Sequence, residues 1–307
     1  MNKLSYKILI VGGTGFLGYH LAKRCIEKGW LVTSISTNIP KKIRFLKKVD
    51  YIKLDITKKK QFNKLRNREF NFIVNFGGYV NHFEKIKTYK SHYIGCKNLV
   101  ENFKKKKIQR FIQIGSCTEY GKYKSPQKEI FKNKKIKHNS TYGKSKYLAT
   151  NYLINKIKKN NFPFTILRLY LVYGPKQDFN RLIPIVIKGC LLGNQFPCSS
   201  GLQYRDFLYI EDFIDVVFKC LKNNKSVGEI FNIGFGKPIR VKKVIKMINK
   251  IIRSGKPEFN KIPLRKDEQI TLYPNIKKSN QLLNWKPKIS FLAGIKRTIK
   301  YYKQSFK

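Results

Sequence analysis

The apolar segment Lys7-Ile8-Leu9-Ile10-Val11 runs directly into Gly12-Gly13-Thr14-Gly15-Phe16-Leu17-Gly18, and the amphipathic stretch from Phe16 to Lys28 follows. Strand, glycine-rich turn and helix in that order confine the chain to a βαβ beginning and predict a dinucleotide pyrophosphate site at the turn. Gly12 lets the chain turn sharply, Gly15 removes the side chain that would meet the phosphates, and Gly18 lets the helix lie close to the strand. The start of the helix then offers unpaired N–H groups and its positive dipole end to the anion. The competing reading, a glycine-rich turn that binds nothing, fits the triplet alone but not its flanks.

Further strand-length apolar runs recur at Leu31 to Ile35, Tyr51 to Leu54, Phe72 to Phe76, Phe111 to Ile114 and Phe164 to Leu169, separated by helix-length polar or amphipathic stretches. This alternation predicts an α/β fold of the Rossmann type, a doubly wound parallel sheet. After Tyr173-Gly174-Pro175 the rhythm breaks into short elements with frequent proline. The expected division is a dinucleotide-binding domain over residues 1–172 and a smaller C-terminal substrate-binding lobe over 173–307. Within the latter, 206–236 returns to the large domain, because Ile230 to Ile233 again has strand character.

The formal net charge is +49, a value that often marks a nucleic-acid or membrane-surface partner. Yet only 12 of the 66 basic residues are Arg, and the Lys are spread along the whole chain beside abundant Asn and Ile. Such an excess is what an AT-rich coding bias would produce, whereas phosphate readers tend to use Arg as well, often on one face. A solvated basic surface is therefore the expectation. No apolar run approaches a membrane span, and the first strand starts within ten residues of Met1, so a cytoplasmic location is expected. Cys25, Cys96, Cys117, Cys190, Cys198 and Cys220 form no C-x-x-C pair, and His20, His82, His92 and His138 are dispersed, so no metal site is expected.

A Tyr followed four residues later by Lys puts both on one helix face. With 18 Tyr and 54 Lys, about three such pairs arise by chance, and six occur, starting at Tyr19, Tyr93, Tyr120, Tyr142, Tyr152 and Tyr273. Tyr142 is selected because it follows Ser116, at the end of the strand Phe111 to Ile114, and strand carboxyl ends line the ligand crevice of such a sheet. Ser116, Tyr142 and Lys146 are then the candidate catalytic set. Lys146 and a nicotinamide cation nearby are expected to lower the Tyr142 phenol so that it exchanges protons, and Ser116 to hold the reacting oxygen. The alternative is that Ser116 and Tyr142 merely cap and pack.

Gly12 to Gly18, Asn75-Phe76-Gly77-Gly78, Ser116 with Tyr120-Gly121, Tyr142-Gly143-Lys144-Ser145-Lys146, Arg168 to Pro175, Arg205-Asp206-Phe207 and Asn284-Trp285-Lys286-Pro287 occur in that order. Together they resemble the extended short-chain dehydrogenase/reductases, the sugar-nucleotide epimerase and dehydratase group, over nearly the whole chain. The resemblance implies that Gly12, Gly15, Phe16, Leu17 and Gly18 hold the cofactor pyrophosphate, Asp55 and Ile56 meet its adenine, and Phe76 and Gly77 lie beside its ribose. Lys146 would also reach the nicotinamide ribose. Thr118, Arg205 and Arg265 would face the substrate, the two Arg gripping a diphosphate with paired donors. For Arg205 an ion pair with Asp206 or Glu211 is the competing reading. The resemblance also implies a homodimer.

The chain departs from the family pattern in three places, one of them a pair of residues. Cys117-Thr118 stands where dehydratases carry Asp-Glu, which leaves no acid and base for eliminating water. His92 replaces an Asn behind the site, and Leu171 replaces an Asn that contacts substrate in many epimerases. The second strand ends Ser34-Ile35-Ser36-Thr37-Asn38 without the acid that binds the ribose of NAD, and Lys41, Lys42 and Arg44 follow. NADP is therefore the expected cofactor, with NAD the alternative. The expected activity is reduction of a 4-keto-6-deoxy hexose carried on a nucleoside diphosphate, with Tyr142 as proton donor. The alternatives are a 4-epimerase that retains NAD and, from another class, a non-catalytic RNA-binding relative of the fold.

Overall fold

The computed structural model describes residues 5–79, 81, 83–129, 136–138, 140–264 and 268–305, and the backbone only for 156–160. Strands β1 (Lys7–Val11), β2 (Leu31–Ser36), β3 (Val49–Lys53), β4 (Phe72–Asn75), β5 (Arg110–Ser116) and β6 (Phe164–Leu169) are joined by crossovers. The crossovers include the helices α1 (Phe16–Glu27), α2 (Lys85–Tyr89), α3 (Gly95–Phe103) and α4 (Thr141–Asn160). Then come β7 (Leu171–Tyr173), α5 (Leu182–Leu191), β8 (Gln195–Pro197), β9 (Tyr204–Arg205), β10 (Phe207–Tyr209), α6 (Ile210–Lys222) and β11 (Ile230–Ile233). The chain closes with β12 (Ile239–Arg240), α7 (Val241–Ile252), β13 (Lys256–Glu258), β14 (Thr271–Leu272), α8 (Lys277–Leu283) and α9 (Phe291–Ser305).

Seven strands form one parallel sheet in the order β11-β6-β5-β4-β1-β2-β3. This is the doubly wound Rossmann-type fold. Successive side chains of a strand point to opposite faces, so a strand covered on both faces must be apolar throughout. In β1, Ile8 and Ile10 enter the layer shared with Leu21, Ala22 and Phe213. Leu9 and Val11 enter the opposite layer with Leu99, Phe103 and Leu153. β11 joins the sheet edge in parallel with β6, as its apolar pattern requires. β5 runs to Ser116, two residues past the expected end, because Ser116 still pairs with Leu169 of β6.

The C-terminal part contains small two- and three-stranded sheets, packed with α5, α7 and α9. Ile183, Ile187, Val244, Ile248, Ile295 and Ile299 belong to the same buried cluster as Ile8 and Ile10, so this part shares a continuous core with the large sheet. Two polar devices fix loops around the crevice. The buried Asp206 carboxylate accepts the backbone N–H groups of Phe235 and Gly236, both at 2.6 Å, and burial pushes it up to about 7. The buried Arg44 donates to the Lys176 carbonyl (3.0 and 2.7 Å) and pairs with Asp178 at 2.8 Å, tying the segment after β2 to the segment after β7. Among the described residues no helix is long and apolar enough to cross a membrane.

Candidate active site

β1 and β4 are neighbours although β2 and β3 lie on the other side of β1, so the crevice at the carboxyl ends of β1 and β4 is the switch point where ligands of such sheets bind. Gly12 sits there with φ +76°, a left-handed conformation that a side chain disfavours. A Cβ on Gly18 would lie 2.5 Å from the Gly12 carbonyl oxygen and from Gly13 Cα, so only glycine lets α1 begin this close to the turn. Gly15 is the N-cap of α1 in extended conformation without a side-chain cap, and Phe16 and Leu17 open its first turn with N–H groups available to an anion.

Phe76 donates its N–H to the Val11 carbonyl (2.9 Å), and the Gly77 N–H is held by Asn75 Oδ1 (2.9 Å), which fixes the segment beside the turn. Ile56 is buried against Gly77 and Gly95. Asp55 Oδ1 accepts from the Thr57 N–H (2.9 Å) and hydroxyl (2.8 Å), closing a small turn below the crevice. Ser36 Oγ, at the carboxyl end of β2, is buried with no hydrogen-bond partner. Glycine cradle and orphaned hydroxyl together fit a dinucleotide. Lys41 and Lys42 are exposed beside this end, but Arg44 is not free to meet a ribose phosphate, because Lys176 and Asp178 already hold its guanidinium.

β5 and α4 bring Ser116, Tyr142 and Lys146 together. The Tyr142 phenol is hydrogen-bonded to the Ser116 side chain. Ser116 Oγ also lies 2.9 Å from Thr118 Oγ1. Lys146 Nζ donates to the Ile114 carbonyl at 2.8 Å and lies 5.9 Å from the centre of the Tyr142 ring. His92, in a π-helical segment of the α2–α3 crossover, meets the Tyr142 ring nearly edge-on at 4.9 Å. Its Nε2 lies 3.1 Å from the Tyr79 carbonyl. Tyr19, Tyr120 and Tyr152 of the other Tyr/Lys pairs are engaged elsewhere: with Lys176, with Asn232 and Arg168, and with Glu101.

Burial pushes the Tyr142 phenol up to about 12, against the opposing hydrogen bond from Ser116. Lys146 lies beside the ring with its ammonium on a carbonyl, and burial brings that ammonium down to about 8. The resting site thus holds a protonated phenol.

Of the two residues that follow Ser116, Thr118 is exposed and Cys117 is buried. Arg205 is 8% exposed and is bound to the Glu268 carboxylate, and to the Tyr204 carbonyl at 2.8 Å. Neither partner expected for it is used, since Asp206 holds the Phe235–Gly236 backbone and Glu211 pairs with Arg297 at 2.9 Å. Arg265 and His82 lie outside the described residues. All six cysteines are buried and unbridged, and among the described residues no group of three or more potential ligands is placed to hold a metal.

One buried group escaped the sequence reading. Glu119 is fully buried, three residues after Ser116, and accepts the Ser116 N–H at 2.8 Å. The S-x-x-E spacing of a capping box was the available signal.

The sequence profile of the NAD dependent epimerase/dehydratase family matches residues 8–234. A human dTDP-D-glucose 4,6-dehydratase is 27% identical over 98% of this chain and 91% of its own length. The CDP-abequose synthase of Salmonella muenchen is 26% identical over 97% of this chain and 99% of its own. In fold, the crystal structure of a UDP-glucose 4-epimerase from Thermotoga maritima with UDP-glucose superposes with a TM-score of 0.91, at 23% identity, covering 98% of this chain and all of that one.

Proposed function

Because the chain belongs to the NAD dependent epimerase/dehydratase family, we propose that it reduces the keto group of a nucleoside-diphosphate 4-keto-6-deoxyhexose. The carrying observation is the Tyr142 phenol, hydrogen-bonded to Ser116 and kept protonated by burial beside Lys146. Reduction of a ketone first needs an acid at its oxygen, and this phenol is one. Ser116 orients the oxygen and Tyr142 delivers the proton. Lys146 carries the positive charge that favours phenolate as the proton leaves.

Gly12, Gly15, Phe16, Leu17 and Gly18 would hold the cofactor pyrophosphate, Asp55 and Ile56 its adenine, Phe76, Gly77 and Lys146 its riboses. A nicotinamide bound there supplies the hydride. NADP is favoured over NAD by the missing acid after β2 and by exposed Lys41 and Lys42, without help from Arg44. Residues 173–307 would contribute most of the sugar-nucleotide lobe, with Thr118, Arg205 and Arg265 facing substrate, and two chains would pair as a homodimer. Elimination of water is disfavoured because positions 117 and 118 carry no carboxylate.

The second reading is a 4-epimerase, favoured by the likeness in fold to the Thermotoga maritima enzyme. Cofactor traffic separates the two, since a reductase releases oxidised cofactor every cycle and an epimerase regenerates its own. Purified protein is incubated with a panel of keto sugar nucleotides and NADPH or NADH, and the sugars are identified. Stoichiometric oxidation of the reduced cofactor with formation of the hydroxy sugar supports reduction. Retained NAD with sugar interconversion and no net cofactor consumption replaces it by epimerisation.

A further inference from the structure

Glu119 follows β5 in the one-turn 3-10 helix Cys117–Tyr120 and has no exposed surface. Its Oε1 accepts the Ser116 N–H at 2.8 Å, and its Oε2 accepts both the Thr150 hydroxyl and the Arg168 Nε at 2.8 Å. Three elements therefore meet on one carboxylate. Ser116 ends β5. Thr150 lies on α4 one turn beyond Lys146 and two turns beyond Tyr142, on the same helix face. Arg168 comes from β6, opposite Gly115, and its guanidinium carbon lies 4.4 Å from the centre of the Tyr120 ring. A Cβ at Gly115 would come within 2.4 Å of Glu119 Oε1, so the strand leaves room for the carboxylate where a side chain would fill it.

A buried ion pair is seldom worth more to stability than apolar residues of the same volume. The position of this one points to another use. Lys146 is buried one turn before Thr150, so the Glu119 carboxylate that holds Thr150 opposes the effect of burial on the Lys146 ammonium, as does Cys96 if ionised. Burial pushes the Cys96 thiol up to about 12, so it is neutral. The charged and titratable groups facing Glu119 are Arg168 from β6, Lys146 and Tyr142 from α4, His138 from the segment before α4, and Cys117 and Tyr120 from its own turn.

Resting on the reading of Ser116, Tyr142 and Lys146 as the reacting set, we propose that Glu119 is a positioning residue. It fixes Ser116 in register with the helix that carries Tyr142 and Lys146, and it places a buried carboxylate on that helix one turn from Lys146. Ser116 and Lys146 thus depend on a group that touches neither substrate nor cofactor.

The test is a pH titration of the cofactor-free protein labelled at the Lys Cε with 13C. Lys146 is the described lysine brought down to about 8, and its resonance is identified by its loss in Lys146→Arg. In Glu119→Gln the midpoint of this resonance is expected to fall by about one unit or more, a tenfold loss of proton affinity. The alkaline limb of kcat for keto-sugar reduction should move the same way, with little change in KM. Glu119→Asp keeps the charge but withdraws it by one methylene. It should hold the midpoint near the wild-type value while lowering kcat, and it carries the test if Glu119→Gln does not fold. An unmoved midpoint in folded Glu119→Gln, or an unchanged kcat in Glu119→Asp, overturns the proposal. If the wild-type protein reduces no keto sugar nucleotide, the proposed function fails, and the NMR midpoints alone decide on Glu119.

Discussion

Replacing Arg205 by Ala separates two roles that coincide in one side chain. Arg205 and Glu268 are 10% and 12% exposed at the side chain, so truncation strips a largely buried carboxylate of its guanidinium. Breaking one side of a buried pair costs about 3–5 kcal/mol, and some water access at Glu268 places the expected loss near the lower end, about 3 kcal/mol. At roughly 2–3 °C per kcal/mol this lowers Tm by about 6–9 °C. If the guanidinium also meets the substrate diphosphate, binding loses a further charge-assisted contact of about 1.5–3 kcal/mol, which is about 10- to 150-fold in Kd. The double variant Arg205→Ala/Glu268→Gln removes the carboxylate charge as well as the guanidinium, so it should regain part of the stability and none of the affinity. Thermal unfolding and calorimetric titration of sugar nucleotide and cofactor, on both variants, make the comparison. Recovery of affinity together with stability, or equal weakening for sugar nucleotide and cofactor, would show that Arg205 is only structural.

Tyr142→Phe should lower turnover by about two to four powers of ten with cofactor still bound, whereas Tyr152→Phe, whose phenol is bonded to Glu101, should leave turnover nearly unchanged. Steady-state rates beside cofactor titrations check both. Lys146 is brought down from 10.5 to about 8, so between those pH values the native protein has released a proton that the unfolded chain still binds. Its burial penalty, full below pH 8, is relieved as pH rises, and the stability of the wild type relative to Lys146→Met should grow by up to about 3 kcal/mol between pH 7.5 and 10.5, measured by denaturant unfolding. Gly18→Ala should weaken NAD(P)H at least about tenfold in a fluorescence titration, because the new methyl meets backbone on two sides and α1 must shift. An unchanged Kd would place the pyrophosphate elsewhere.

The central sheet was legible because its inner strands, such as β1, β4 and β6, are buried on both faces, which leaves short apolar runs, while the edge strand β3 keeps exposed Asp50 and Lys53. The glycine turn was legible for a related reason, since three close approaches are written as three residues without side chains. Tyr142 could be chosen from six candidates only through its position relative to Ser116. What stayed hidden depends on partners distant in sequence. Glu119 acquires its meaning from Thr150 and Arg168, and Arg205 from Glu268, pairs separated by 31, 49 and 63 residues. Local inspection offered Arg205 its near neighbours Asp206 and Glu211, and the fold uses both for other ends.

The Arg44 link to Lys176 and Asp178 has a consequence for redesign. Cofactor preference in α/β sheets of this kind is naturally altered by exchanging the loop that follows the second strand, as if it were an independent module. Here that loop is sewn through Arg44 to the stretch that leads from Tyr173 into α5. An exchange that discards Arg44 should therefore raise KM for the sugar nucleotide as well as change the nicotinamide preference, while a graft confined to residues 37–42 should change the preference alone. Swapping one ligand's specificity in this protein means leaving its seam to the other ligand's half intact.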